Sequence, residues 1–395
     1  MRERAHEILE LGFADALPYF RVAPEQLAST AAYVADIVRN HYPGLKVPLH
    51  ARWRHFVFGG RNLWTEIARE AQWTTAEARA RAEFDLAIVS VLLDAGAGPD
   101  WRYDDATTGL SIGRSEGLAI ASLRMFEAGL FSADPSDPLR ADAERLVALT
   151  GEDLARGFGV HDTNPLPGLE GRATLLRRLG HAMMSAPGIF AGVDVARAGG
   201  LFDYLNTIAD GGRLPAPAIL QALLVHLAPI WPNRLTLADV SLGDCWRHSA
   251  IKRGDETNGL VPLHKLSQWL SYSLIEPLQT AGVTVSDIDS LTGLAEYRNG
   301  GLFIDGGVIA LRDLAQAARP QPAESELVVE WRALTIALLD SLHPLVRNIL
   351  GAPPRGFPLG ALLEGGTWAA GRKLAREIRA DGRPPLQVIS DGTVF

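Results

Sequence analysis

The sequence predicts a mainly α-helical protein, one or more large helical domains with strand confined to a few short β-hairpins. Three observations predict it: apolar residues recur at three- and four-residue spacing over long stretches, helix-start and helix-stop residues bracket those stretches, and alternating apolar–polar runs are scarce. With 395 residues, 47% apolar and 21% charged, the chain can bury a large core. Its length allows two or three units at roughly 150 residues each.

The elements follow in chain order. Thr74, with Glu77 three residues on, reads as a capping box that opens a run through Phe84, Ile88, Val91 and Leu92 to Gly96. Asp137 followed by Pro138 reads as a second helix start, with Leu139, Ala143, Leu146 and Leu149 at helical spacing. Leu302 to Ile304 and Val308 to Leu311 flank Asp305-Gly306-Gly307, follow Asn299-Gly300-Gly301, and read as a small hairpin. A long apolar stripe then runs from Leu327 through Trp331, Leu334, Leu338, Leu342 and Leu345 to Ile349, with a kink expected at Pro344 and a stop at Gly351-Ala352-Pro353-Pro354. The terminal segment Leu386 to Phe395 reads as one more strand. Loops are expected at Ala95 to Gly113, His161 to Gly171 and Ser185 to Gly200. No solenoid-type repeat emerges. The expected division is an N-terminal helical region, 1–150, and a region 151–395 that carries the site, or one unit over both.

A net charge of −8 argues against a sequence-independent hold on nucleic acid or anionic membrane, since both need a basic field. A small anion needs only a few local cations, so the expected partner is a small-molecule substrate. The single cysteine, Cys245, rules out an intramolecular disulfide and fits a reducing compartment. Met1 to Glu7 lacks the apolar core of a secretory signal, and the longest apolar stretches, Leu86 to Leu93 and Leu223 to Trp231, fall short of the ~20 residues of a membrane span. The expected location is cytoplasmic.

Gly113-Arg114-Ser115-Glu116-Gly117 matches the G-x-S-x-G nucleophile elbow, which needs a strand leading in and a helix leading out within an α/β sheet. Only the exit helix is legible. Two other readings stand beside it: Ser115 as a helix N-cap with Glu116 in the first turn, or a glycine-flanked helix N-terminus that joins Arg114 in holding a phosphate. In Val261 to Tyr272 and on to Glu276-Pro277, Lys265, Trp269, Tyr272 and Glu276 share one helical stripe, with Leu263, Leu266, Leu270 and Leu274 opposite. Trp and Tyr are costly on a solvated face, so this stripe reads either as a pocket wall or as the wet side of an amphipathic helix. Asp287 to Gly301 gathers carboxylates, Tyr297 and Arg298 before a glycine turn, which suits a site or a surface loop with a local Glu–Arg pair. No His or Cys spacing fits a metal, and no phosphate-loop or dinucleotide pattern is present, so neither metal nor cofactor is expected.

Four motifs, Trp53-Arg54-His55-Phe56, Gly113 to Ala119, Leu263-His264-Lys265-Leu266-Ser267-Gln268-Trp269-Leu270 and Glu296-Tyr297-Arg298-Asn299-Gly300-Gly301, in this order and spread over most of the chain, together resemble the uracil catabolism protein 4 family. The resemblance implies a place in a uracil-degrading route that passes through a uridine-nucleotide stage and ends in urea. A second resemblance supplies a mechanism. Ile288 to Val308, with Leu291-Thr292, Ala295-Glu296-Tyr297-Arg298 and Gly307-Val308, is similar to a stretch of the queuosine 5′-phosphate N-glycosidases. Those proteins are largely helical, distantly like DNA glycosylases, and cleave an N-ribosidic bond. Their motif has Asp before Tyr-Arg, where this chain has Glu296, one methylene longer. Lys265 and Gln268 loosely match a basic-x-x-Gln pattern just upstream.

The reaction so implied is hydrolysis of a ribosylurea-type, 5′-phosphorylated intermediate to urea and ribose phosphate. A carboxylate stabilises the oxocarbenium-like state and directs water. Glu296 is the expected catalytic group, with Asp305 and Asp289 as alternatives beside the same turn. Lys265, or Arg114 with Ser115, would hold the phosphate. Trp269 or Tyr297 would cover the sugar or leaving group, with Gln268 and Arg298 beside them. The rival readings are an amidohydrolase acting on the opened pyrimidine and a non-catalytic binding partner of the pathway.

Overall fold

The structure is a computed structural model that describes residues 1–98, 100–191, 195–231 and 235–389. It is 54% helical with only short strands, so the mainly α class stands. The chain divides into two units, each built from separated segments. The first takes Met1–His50, Arg234–Gln268 and Ile288–Ile389, and the second takes Ala51–Asn233 and Trp269–Asp287.

The first unit is organised on the helix Glu326–Leu350, which runs through Pro344 from the Ser325 cap to left-handed Gly351. Helices Arg2–Phe13 and Leu27–His41 pack along it. By length and composition this helix is apolar enough to cross a membrane, which the shorter runs noted above are not. Yet it carries buried polar side chains: Glu330 accepts from the Phe20 amide at 2.7 Å and lies 3.0 Å from His248 Nε2. A carboxylate with a buried hydrogen-bond partner on each oxygen marks a core helix.

The expected hairpin at Leu302 to Leu311 does not form. Tyr297–Asp305 is a helix, and Ile309–Leu311 pairs antiparallel with the distant Phe20–Val22. The reason is packing. A Cβ on Gly300 would lie 2.7 Å from the Trp331 ring and 2.8 Å from Thr335 Oγ1, and one on Gly371 would lie 2.1 Å from the Arg298 carbonyl oxygen. These glycines let helices Tyr297–Asp305, Glu326–Leu350 and Trp368–Ile378 approach closely, a use of glycine that local sequence cannot tell from a turn. Of the expected terminal strand, Val388–Ile389 pairs parallel with Gln321–Pro322, and residues 390–395 lie outside the described residues.

The second unit packs helices Ala76–Leu92, Arg114–Glu127 and Leu169–Ser185, with the 3₁₀ turn Arg52–Phe56 against the first two. Three local expectations are corrected. The N-cap of Ala76–Leu92 is Thr75, which accepts from the Ala78 amide at 3.1 Å, one residue beyond Thr74. Asp137-Pro138 starts no helix; the helix is Ala143–Val147, and Arg140, ion-paired to Asp137 and Asp142, holds the preceding segment in turns. The expected loop at Ala95 to Gly113 contains a hairpin, Arg102–Asp105 with Leu110–Gly113.

Candidate functional site

In the first unit, Glu296 has extended backbone and caps the helix Tyr297–Asp305. Oε2 accepts from the Arg298 amide at 2.8 Å and Oε1 from the Asn299 amide at 2.6 Å. The carboxylate curls back over the helix N-terminus, where the dipole favours negative charge. Burial pushes its pKa up; the two amides, Lys265 and Arg298 pull it back, and the net shift is upward. Each carboxylate oxygen accepts one of these bonds and has capacity for another. Next to it, the Asn299 amide donates to the Leu294 carbonyl at 3.1 Å, while its buried Oδ1 meets no donor among the described residues. An unmet buried acceptor costs about 1–3 kcal/mol and calls for a partner.

Lys265 opens the helix Lys265–Thr280 directly after His264, whose φ of 47° is left-handed. One buried pair fixes both this helix start and the loop before Glu296. Asp244 takes the Arg332 guanidinium on both oxygens, at 2.7 and 2.8 Å, accepts from Trp246 Nε1 at 2.7 Å, and caps the Lys265 amide at 2.9 Å. Arg332 Nε donates to the Ala295 carbonyl at 3.1 Å. Gln268 adds a second tie, accepting from the Thr292 amide at 3.2 Å. Sequence reasoning missed Asp244 and Arg332. An arginine beside Trp331, inside an otherwise apolar stripe, was the available signal.

The structure thus sets the Lys265 charge to act on Glu296, with Gln268 tied to the loop that leads to it. Arg298 sits over the Tyr297 ring at 4.8 Å and donates to the Gly382 carbonyl. The other two carboxylates are placed differently. Asp305 ends the same helix, roughly 13 Å along it at 1.5 Å per residue, and pairs with Arg379. Asp289 is exposed and accepts from the Leu359 amide at 2.7 Å.

Ser115, Arg114 and Trp269 belong to the second unit. A strand does lead into Arg114–Glu127, but it belongs to a two-stranded hairpin. Ser115 is not the cap: Gly113 holds that position, and the Ser115 hydroxyl donates to Asp94 at 2.7–2.8 Å. Arg114 adopts a left-handed φ of 59°. Trp269 and Tyr272 are buried, whereas Lys265 and Glu276 at the two ends of their stripe are half-buried, so the aromatic part of the stripe does not face water. Trp269 meets the His55 ring edge-on at 5.4 Å and the guanidinium of fully buried Arg52, also at 5.4 Å. Arg52 pairs with Asp94 at 3.3 Å and donates to Ser90 Oγ at 2.6 Å. Residues from three of the four resemblance motifs therefore share this unit's polar core.

The whole chain, residues 1–395, matches the family described as Protein of unknown function (DUF1688). Protein urg3 of Schizosaccharomyces pombe is 39% identical over 404 residues, covering 100% of this chain and 96% of that protein. Uracil catabolism protein 4 of Lachancea kluyveri is 36% identical over 411 residues, covering 95% of this chain and 92% of that protein. Matched over its full length and more than one-third identical to both relatives, the chain belongs to the DUF1688 family and to the family of uracil catabolism protein 4.

Proposed function

We propose that this protein acts in uracil catabolism, in the cytoplasm, as an N-ribosyl hydrolase that releases urea and ribose phosphate from a 5′-phosphorylated ribosylurea-type substrate. The pathway is suggested by the name of one relative, uracil catabolism protein 4. The observation that carries the chemistry is Glu296, a buried carboxylate at a helix N-terminus, in the field of Lys265 and with its pKa raised. Perturbed carboxylates in such settings are favoured acid–base and electrostatic groups.

In the proposed step the ribosyl C1′–N bond breaks with its electron pair leaving on the urea nitrogen. Glu296 stabilises the oxocarbenium-like centre, orients a water and takes its proton. The hydroxide oxygen so formed bonds to C1′, the proton taken up by Glu296 passes to the urea nitrogen, and one water is consumed per turnover with the carboxylate regenerated. Lys265 neutralises the phosphate and Tyr297 covers the sugar. The test incubates the purified full chain with ribosylurea 5-phosphate and measures urea and ribose 5-phosphate. Equal release of both supports the reading. Ammonia without ribose 5-phosphate would instead indicate an amidohydrolase, and tight binding without product a carrier; either result overturns it.

A further inference from the structure

The second unit contains a cavity of about 230 Å³ into which three arginines from separate segments converge: Arg81, Arg140 and Arg197. Each guanidinium is anchored along part of its edge. Arg81 binds Asp203 through Nε and Nη2, at 2.8–3.0 Å. Arg197 binds the buried Asp85 through Nε and Nη2. Arg140 donates from Nε to Asp142 at 2.7 Å. Each arginine keeps a terminal nitrogen outside these contacts. For Arg140, whose side chain is only 9% exposed, Nη2 is buried and meets no acceptor among the described residues. A buried guanidinium edge left unmatched is costly, and several guanidinium groups around one cavity suit an anion with several acceptor oxygens.

We propose that this cavity binds a phosphate monoester. A phosphoryl group offers three terminal oxygens to three guanidiniums, where a carboxylate offers two. Trp73 and Phe190 supply an apolar wall for the organic part. The carboxylates bordering the cavity do not block it equally. Asp203 is held in a bidentate pair, whereas Asp137 reaches Arg140 only at 3.3 Å and its side chain is 49% exposed. Asp137 is thus the partner that an incoming phosphate displaces, turning into solvent as the ligand takes Arg140. The site stands on this unit's own geometry and does not rest on the proposed hydrolysis.

The test titrates the full chain with inorganic phosphate, ribose 5-phosphate and acetate by calorimetry. Saturable phosphate and ribose 5-phosphate binding is expected, with acetate at least tenfold weaker. Arg140→Gln and Arg81→Gln should each weaken phosphate about tenfold. Asp137→Asn, which keeps the side-chain shape at a half-exposed position, should tighten it several-fold by removing the competitor. Lys265→Gln, which removes the phosphate contact of the proposed hydrolytic site, should leave it unchanged, which separates this site from the hydrolytic one. Absence of saturable phosphate binding, or an Asp137→Asn variant that binds no tighter, overturns the proposal.

Discussion

Two buried carboxylates of the first unit are driven in opposite directions. Glu296 lies above the ordinary carboxylate pKa of 4.5 because burial outweighs its amides and neighbouring cations. If its ionised form is the active one, the acid limb of kcat/KM should fall above pH 4.5, and Glu296→Gln should remove that limb. The same change should cost on the order of 10²-fold in kcat with KM little altered, since the phosphate contacts stay. A pH–rate profile of both proteins checks this. Asp244 lies well below its ordinary 3.8: burial alone would raise it, but the charge and hydrogen bonds of Arg332 prevail. A depressed folded-state pKa means the stabilisation is present above pH 3.8 and is lost as pH falls below it. Asp244→Asn should therefore be destabilised by about 3–5 kcal/mol at neutral pH, because Arg332 is left buried and unpaired. It should also lose much of the wild-type acid sensitivity below about pH 4. Urea denaturation at pH 7 and pH 3 measures both effects.

At the scale of elements, the short helix Tyr297–Asp305 carries the site and depends on glycines inside helices. Gly371→Ala gains about 1 kcal/mol of helix propensity. Its new Cβ, however, would stand 2.1 Å from the Arg298 carbonyl oxygen, which is backbone and cannot swing aside. Overpacking of about 1–3 kcal/mol or more should prevail, so the variant should melt lower than wild type. Gly300→Ala should do the same against Trp331 and Thr335. A raised melting temperature in either variant would contradict the packing account. This is also where the sequence misled. Asn299-Gly300-Gly301 and Asp305-Gly306-Gly307 carry a hairpin signature, and only the partner helices show why helix prevails.

For the whole molecule, Cys245 offers a probe of opening. Burial first, and the charge of Asp244 second, push its thiol up to about 12. At pH 8 the folded protein should hold only about one thiolate in ten thousand, against roughly a quarter for an ordinary thiol of pKa 8.5. Reaction with a disulfide reagent should be slow in buffer, rise through the denaturant transition, and follow loss of circular dichroism. Complete labelling within seconds in native buffer would refute this burial.

The helical class, the extent of the core helix from Leu327 to Ile349 and the family were legible from the residues, because periodicity, caps and contiguous motifs are local properties. The sequence also singled out Glu296 and Lys265 in one region. Tertiary structure alone decided how they are held. Asp244 and Arg332 stand 88 residues apart, and nothing local to either announces the pair that fixes both the Lys265 helix start and the loop before Glu296. It decided likewise that Ser115 serves Asp94 rather than its own helix, and that three arginines surround one cavity. The physical reason is common to these cases. A charged side chain inside a unit is stable only with a specific partner, and the folded chain, not the adjacent residues, supplies that partner.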